Sequence, residues 1–385
     1  MPDLRTPWRC VSAAFALNGL LLGTWAARVP GVMEKHDLTK GELGLYLLLM
    51  GVGALISFPL AGRLADSLGA VRVTRWIAVI YLSSLILVGV APGPVMLGVG
   101  LCFFGMCHGS MDVTMNSWAT EVEKHMGRSV MSSFHAMWSL GAGLGAASGF
   151  LATGLGLSVA VHFAVLSVIG GLIFGPFIAA KWDSQRRAAT KGGPVFAMPR
   201  GALALVGLVA LAAGIGEGAM ADWSAVYLRD VVATGESHAT LGYAVFSVTM
   251  VAMRLCVDQL VIRLGPVTVA RFSGLIAATG LAFVTVNPSL PLALIGFVMM
   301  GMGYAALIPL AFSRAAVDPH VPPGQAIAAV ATLGYGAMMI GPPAIGWIAD
   351  LWSLRVAFVL LGGFALMVAL MAPVLSRRPS AEVVA

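Results

Sequence analysis

The chain has 385 residues, 59% of them hydrophobic and only 10% charged, with a mean hydropathy of +0.91. Soluble domains carry about a quarter charged residues, so this balance excludes a soluble globular protein and points to a polytopic membrane protein. The net charge of +6 does not mark a nucleic-acid binder, because the basic residues fall between apolar runs in a pattern that sets topology, and the four cysteines (Cys10, Cys102, Cys107 and Cys256) share no metal spacing.

The length allows about twelve spans of ~20 residues with short loops. The first residues, MPDLRTPWRC, read as a cytoplasmic leader rather than a cleaved signal. Span 1 covers Arg9 to Met33 and carries Asn18, Trp25 and Arg28; the loop EKHDLTKGE follows. Span 2 runs to about Gly62 and ends in GRLADSLGAVRVTR. Span 3 covers Thr74 to Val90, and the turn from Ala91 to Pro94 leads into span 4, Val95 to Ala119. Span 5, Val130 to Leu151, holds His135, Trp138 and a glycine ladder at Gly141, Gly145 and Gly149. Span 6 ends near Ala180, and the basic stretch KWDSQRRAATKGGP, which has no apolar periodicity, reads as a central linker.

The second half repeats the plan. Span 7, Gly201 to Leu228, carries Glu217, Asp222 and Trp223; span 8, Thr240 to Ile262, has Arg254 and Asp258 near its end. Spans 9 to 12 occupy 267–286, 291–313, 324–348 and 354–375. The expected fold is an all-α membrane protein of twelve transmembrane helices in two pseudo-symmetric six-helix bundles, 1–181 and 201–385, joined by a cytoplasmic linker over 182–200.

Lysine and arginine set the orientation. With the N-terminus inside, 18 of the 23 lie on the cytoplasmic side and five (Arg28, Lys35, Lys40, Arg229 and Arg355) on the other. That asymmetry fits the positive-inside rule over twelve spans with both termini cytoplasmic. The halves are related by an internal repeat. Gly69, Val71, Val73 and Arg75 recur as Gly265, Val267, Val269 and Arg271, an offset of 196, and Gly105 recurs as Gly301. Gly149 to Ala152 recurs at offset 197, and Trp25 as Trp223 at 198. Matches so close to one offset imply two parallel six-span halves, a transporter architecture.

Span 4 carries the most informative chemistry. His108, Asp112 and Asn116 sit four residues apart and therefore stack along one helix face. A carboxylate in hydrocarbon costs at least ~2.5–3.5 kcal/mol, so this face should look into a polar cavity. Gly105, Gly109 and Ser110 flank it and would admit neighbouring helices. The reading is one wall of a transport pathway; the rival is a helix-packing face with one structural carboxylate.

At GRLADSLGAVRVTR the chain resembles the major facilitator superfamily, whose loop between spans 2 and 3 carries Gly, then Asp, then Gly with basic residues. Gly62, Arg63, Asp66, Gly69, Arg72 and Arg75 fill those places. Asp66, at a helix end, can pair with arginines and help hold one gating state, and Arg254 and Asp258 belong to a looser second copy. Within the superfamily, span 4 resembles the fucose-permease-like branch, with Gly109, Asp112 and Asn116 at its Gly-x-x-(Glu/Asp)-x-x-x-Asn motif. The resemblance implies proton coupling at the carboxylate and a sugar site near His135. A closer resemblance is to uncharacterised bacterial inner-membrane members that share MSSFHAMWSLG, EGAMADW and LGYGAMMIGPPAIGW. The acidic residue of that branch's first span has no counterpart here; its place falls near Ala26.

The expectation is a proton-coupled secondary transporter of the inner membrane, a monomer with no cofactor, enzymatic activity or metal site, moving a small polar solute such as a sugar. A proton-driven efflux carrier for amphiphilic compounds is the alternative. Asp112 is expected to take up and release the proton, with His135 and His108 tuning it. Burial favours the neutral form of a carboxyl and a nearby cation the charged form, so a conformational change that alters either moves a proton. Glu217 is a second coupling candidate. His108, Asn116 and Asn18 could contact the solute, and Trp25, Trp138, Trp223 and Tyr335 could stack on it; tryptophan also anchors spans at the interface. Asp222 reads as a gate or surface charge, and His162, without polar companions, as packing.

Overall fold

The computed structural model describes residues 6–127, 130–184, 199–315, 317–321 and 323–376; among these the side chains of Ser132, Asp258, Pro323, Gly324, Gln325, Ile327, Ala328 and Tyr335 are not described. Of the expected linker, 185–198 lies outside them.

The described chain is helical throughout. The first six helices are α1 (Pro7–His36), α2 (Lys40–Leu68), α3 (Ala70–Val90), α4 (Pro94–Met126), α5 (Met131–Gly154) and α6 (Val159–Ile178). Then come α7 (Ala202–Asp230), a one-turn α8 (Glu236–Ala239), α9 (Leu241–Leu264), α10 (Pro266–Val286), α11 (Leu290–Tyr304), α12 (Leu307–Ala315), α13 (Pro323–Leu351) and α14 (Leu354–Met371). α8 with α9, and α11 with α12, each make one crossing, which gives twelve among the described residues. Ten of these segments are long and apolar enough to cross a membrane; α5 and α13, at 24 and 29 residues, are also long enough to cross a ~30 Å hydrocarbon core.

Helices are the expected solution where lipid offers the backbone no partners. Their ends are written locally. Thr39 opens α2 with a reciprocal box: its hydroxyl accepts from the Glu42 N–H at 3.2 Å, and the Glu42 carboxylate accepts from the Thr39 N–H at 2.9 Å. Ser158 and Ser353 cap α6 and α14, and prolines stand in the first turns of α1, α4, α10 and α11. Several helices run on past the apolar stretch expected from sequence: α2 continues to Leu68 and α4 to Met126. Polar residues do not end a helix that already extends beyond the bilayer core.

The described residues fall into two compact units. The first draws on Met1–Lys191 and Ala221–Val248, the second on Gly192–Met220 and Thr249–Ala385, so α7 and α9 contribute to both.

In the first unit α1 packs on α5, α6 and α4; α2 packs on α4, and α3 on α4 and α6. The α1–α5 seam is backbone against backbone. A Cβ built on Gly19 or Gly23 would lie 2.0 Å from the carbonyl oxygen of Trp138 or Ala142, and one on Gly141 or Gly145 would lie 2.1 or 2.2 Å from that of Ala16 or Leu20. The glycine ladder of span 5 therefore meets a matching pair in α1. α1 is almost wholly enclosed, with Phe15, Trp25 and Val29 at 0% exposure. The end of α7 and α8 join this unit through polar contacts: Arg229 donates to the Pro30 carbonyl at 2.7 Å, Lys40 pairs with Asp230 at 2.9 Å, and Thr153 donates to the Ser237 hydroxyl at 2.9 Å.

In the second unit α10 packs on α11 and α14, and α13 on α14 and α12. The pairs α3–α4 and α3–α6 thus reappear as α10–α11 and α10–α14, at the places the sequence repeat assigns them.

Candidate functional site: polar clusters at mid-helix

The stripe on α4 is held by α2 and α3. Gly105 and Gly109 turn toward α2, where a Cβ on Gly105 would lie 1.9 Å from the Met50 carbonyl oxygen and one on Gly109 would lie 2.9 Å from Ala54 Cα. That close approach leaves His108, Asp112 and Asn116 half-buried on a neighbouring face. Asn116 Nδ2 donates to the Asp112 carbonyl at 2.8 Å and to its Oδ1 at 3.2 Å. His108 Nδ1 is 2.9 Å from the hydroxyl of Tyr81 on α3, whose fully buried ring packs on Phe104. Asp112 enters no ion pair with the described residues.

The structure places the other expected site residues as follows. His135 on α5 is exposed and sets its ring against Phe15 at 5.2 Å. Asn18 on α1 is fully buried; its Nδ2 points at Met115 Sδ, 3.6 Å away on α4, and its Oδ1 is without a hydrogen-bond partner. Trp25 is fully buried, its ring centre 6.4 Å from those of both Phe104 and Phe163. Trp138 is half-buried, with its carbonyl against Gly19. Trp223 is fully buried, and Asp222, expected as a gate or surface charge, is 8% exposed. Tyr335 and Asp258 have no described side chains.

Around the expected gating loop, the arginines go elsewhere than to Asp66. Arg75 donates to the carbonyl of Ile178 at 3.0 Å and to that of Ala180, closing the end of α6, where a cation meets free carbonyls and the negative end of the dipole. Arg72 lies over the ring of Trp76 at 5.2 Å. Arg63 is exposed, and its carbonyl accepts from the Ser67 hydroxyl. A Cβ on Gly62 would meet open space, whereas Gly69 takes φ 93°, as α2 turns into α3. Asp66 instead lines a cavity of about 510 Å³ with Ser117, Glu121, Lys124, His125 and Trp182. Trp182 is fixed there, its Nε1 donating to Glu121 at 2.9 Å.

Arg254 departs most from its expected place. It lies at mid-α9, not beside a loop, and its guanidinium reaches Glu217 Oε2 on α7 at 3.3 Å. Three polar contacts were missed from sequence. Tyr81 is one. Arg28, counted as an external charge, is 4% exposed, donates both terminal nitrogens to the Leu157 carbonyl at 3.1 Å and pairs with Glu236 at 3.4 Å. His162, read as lacking polar companions, has Ser148 Oγ at 2.9 Å from its Nε2. A tyrosine or histidine inside an otherwise apolar span was the available signal.

Ionisable groups held at mid-helix, within two repeated sets of apolar helices, define a polytopic membrane transporter. The profile of the Major Facilitator Superfamily matches residues 11–323, and the chain belongs to that family. It is 56% identical over 377 residues to the uncharacterized transporter y4wD of Sinorhizobium fredii, covering 98% of this chain and 100% of that one. It is 35% identical over 348 residues to an uncharacterized MFS-type transporter of Yersinia pestis, covering 90% and 89%. The fold is similar to that of the crystal structure of the nucleoside transporter NupG, with a TM-score of 0.75 at 12% identity over 97% of this chain and 99% of that one. The protein is therefore a multi-pass membrane transporter and not an enzyme.

Proposed function

We propose that the protein is a proton-coupled secondary active transporter of the bacterial inner membrane, with both termini cytoplasmic. It acts as a monomer and moves a small polar solute, a sugar first among candidates, by alternating access. The observation that carries this reading is the contrast between two carboxylates. Glu217 faces a guanidinium, while Asp112 has, among the described residues, the side-chain amide of its own helix neighbour Asn116 as its partner. Protonating Asp112 breaks no ion pair with the described residues, so the cycle can add and remove its charge at lower cost than that of Glu217. His108, steadied by Tyr81, lies one turn away and shares the proton's path. The polar α4 face supports a hydrophilic cargo over an amphiphilic one.

The test is uptake into proteoliposomes under an imposed pH gradient, screened against sugars, nucleosides and lipophilic cations. Asp112→Asn should abolish uphill accumulation and leave solute exchange in place. Uphill uptake at the wild-type level in that variant overturns the assignment.

A further inference from the structure

The second unit holds a polar centre that proton coupling at Asp112 leaves unused. Glu217 on α7 pairs with Arg254 on α9 through Oε2, but its other oxygen, Oε1, is buried and without a hydrogen-bond partner among the described residues. Tyr304, the last residue of α11, is 1% exposed, and its hydroxyl is likewise without a partner. The two come from neighbouring positions in space. A Cβ on Gly216, the residue before Glu217, would lie 2.2 Å from Tyr304 Cζ and 2.5 Å from its hydroxyl oxygen. Only a glycine at 216 lets the phenol end reach this level of α7. The side chains of Arg254 and Glu217 keep 22% and 24% of their surface open, and an ionised pair inside a span is costly against lipid.

We propose that Glu217, Arg254 and Tyr304 bind a hydroxyl group of a neutral polyhydroxylated solute, with Tyr304 as a specificity-determining residue. This rests on the transporter reading above and supplies the substrate class. The chemistry selects the class. One oxygen of the carboxylate is paired with the guanidinium. What the centre offers is an acceptor, Oε1, beside a phenol that both donates and accepts. A neutral hydroxyl complements both at once, donating to Oε1 and accepting from Tyr304, while Arg254 holds the carboxylate in place. An ammonium group would leave the phenol proton unused, and a carboxylate ligand would face Oε1 with like charge.

Binding is measured on the purified full chain at equal pH on both sides, so the outcome does not depend on coupling. The probes are a set of hexoses, each hexose's mono-deoxy analogues, a ribonucleoside, and the lipophilic cation tetraphenylphosphonium. Wild type should bind at least one neutral hydroxylated probe and prefer it about tenfold or more over one of its deoxy analogues, because a site built for a hydroxyl rejects the analogue that lacks it. Tyr304→Phe should erase that preference while the deoxy analogue binds as before, a pattern that general loosening of the fold does not produce. Gly216→Ala, which displaces the phenol without altering it, should have the same effect; Glu217→Gln should weaken all hydroxylated probes. Wild type that binds only the lipophilic cation, or no neutral probe, overturns the substrate class, and a preference intact in Tyr304→Phe overturns the centre. If instead Asp112→Asn retains uphill uptake while Tyr304→Phe loses the preference, the coupling reading fails and this one stands.

Discussion

Gly69 and Gly265, 196 residues apart, hold the same backbone conformation at the same point of the two halves. Gly69 opens α3 at φ 93° and ψ 133°, and Gly265 opens α10 at φ 79° and ψ 157°. The repeat seen as letters is thus also a repeat of a sharp helix-to-helix corner.

That region of backbone space is open in practice only to glycine, at a cost of about 1–3 kcal/mol for other residues. Gly265→Ala adds a methyl that meets nothing within 4 Å, so its cost is the backbone term alone. Gly69→Ala also brings a Cβ to 3.0 Å from that of Ser184. Both variants should unfold earlier in detergent thermal melts, Gly69→Ala by more than Gly265→Ala. Equal stability of all three proteins would show that these corners relax without strain.

Tyr81 should matter through His108. Tyr81→Phe keeps the ring on Phe104 and removes only the hydroxyl, which is worth roughly 0.5–1.5 kcal/mol as a hydrogen bond. Initial uptake rates should fall several-fold and the pH profile should change. His108→Gln made on top of Tyr81→Phe should add less than it does alone, because the two act through one contact. Fully additive effects would separate Tyr81 from His108.

Lys40 and Asp230, the first residue of α2 and the last of α7, pair at 2.9 Å, and the proposed alternating access is expected to open this clasp. In a protein with Cys10, Cys102, Cys107 and Cys256 replaced, Lys40→Cys with Asp230→Cys joined by a short thiol cross-linker should stop transport. The same variant before cross-linking should transport. Normal turnover after complete cross-linking would mean that this clasp stays shut through the cycle.

Much of the architecture was readable from residue order, since span length, turn residues and the offset of 196 each act along the chain. The α4 stripe was readable for the same reason: helical periodicity alone places His108, Asp112 and Asn116 on one face. What periodicity does not carry is which other helix arrives opposite. Tyr81 comes from α3 and Arg254 from α9, and neither spacing nor composition announces them. Arg28 reads as lying inside span 1 and counts to the outer side, and Arg254 reads as lying near the cytoplasmic end of span 8; arginine inside a span is costly, and that cost is met here by the Leu157 carbonyl with Glu236 and by Glu217. Asp66 misled in the opposite direction. The arginines beside it were drawn to the carbonyls of α6 and to the Trp76 ring, partners that local sequence does not show.

The α1–α5 seam sets a rule for motion inside the first unit. Where glycines leave only main chain on both sides, there are no rotamers to exchange and no slack to absorb sliding. The two helices must travel as one stiff rod, and any bending that lets solute through has to be taken up by neighbours joined through longer side chains.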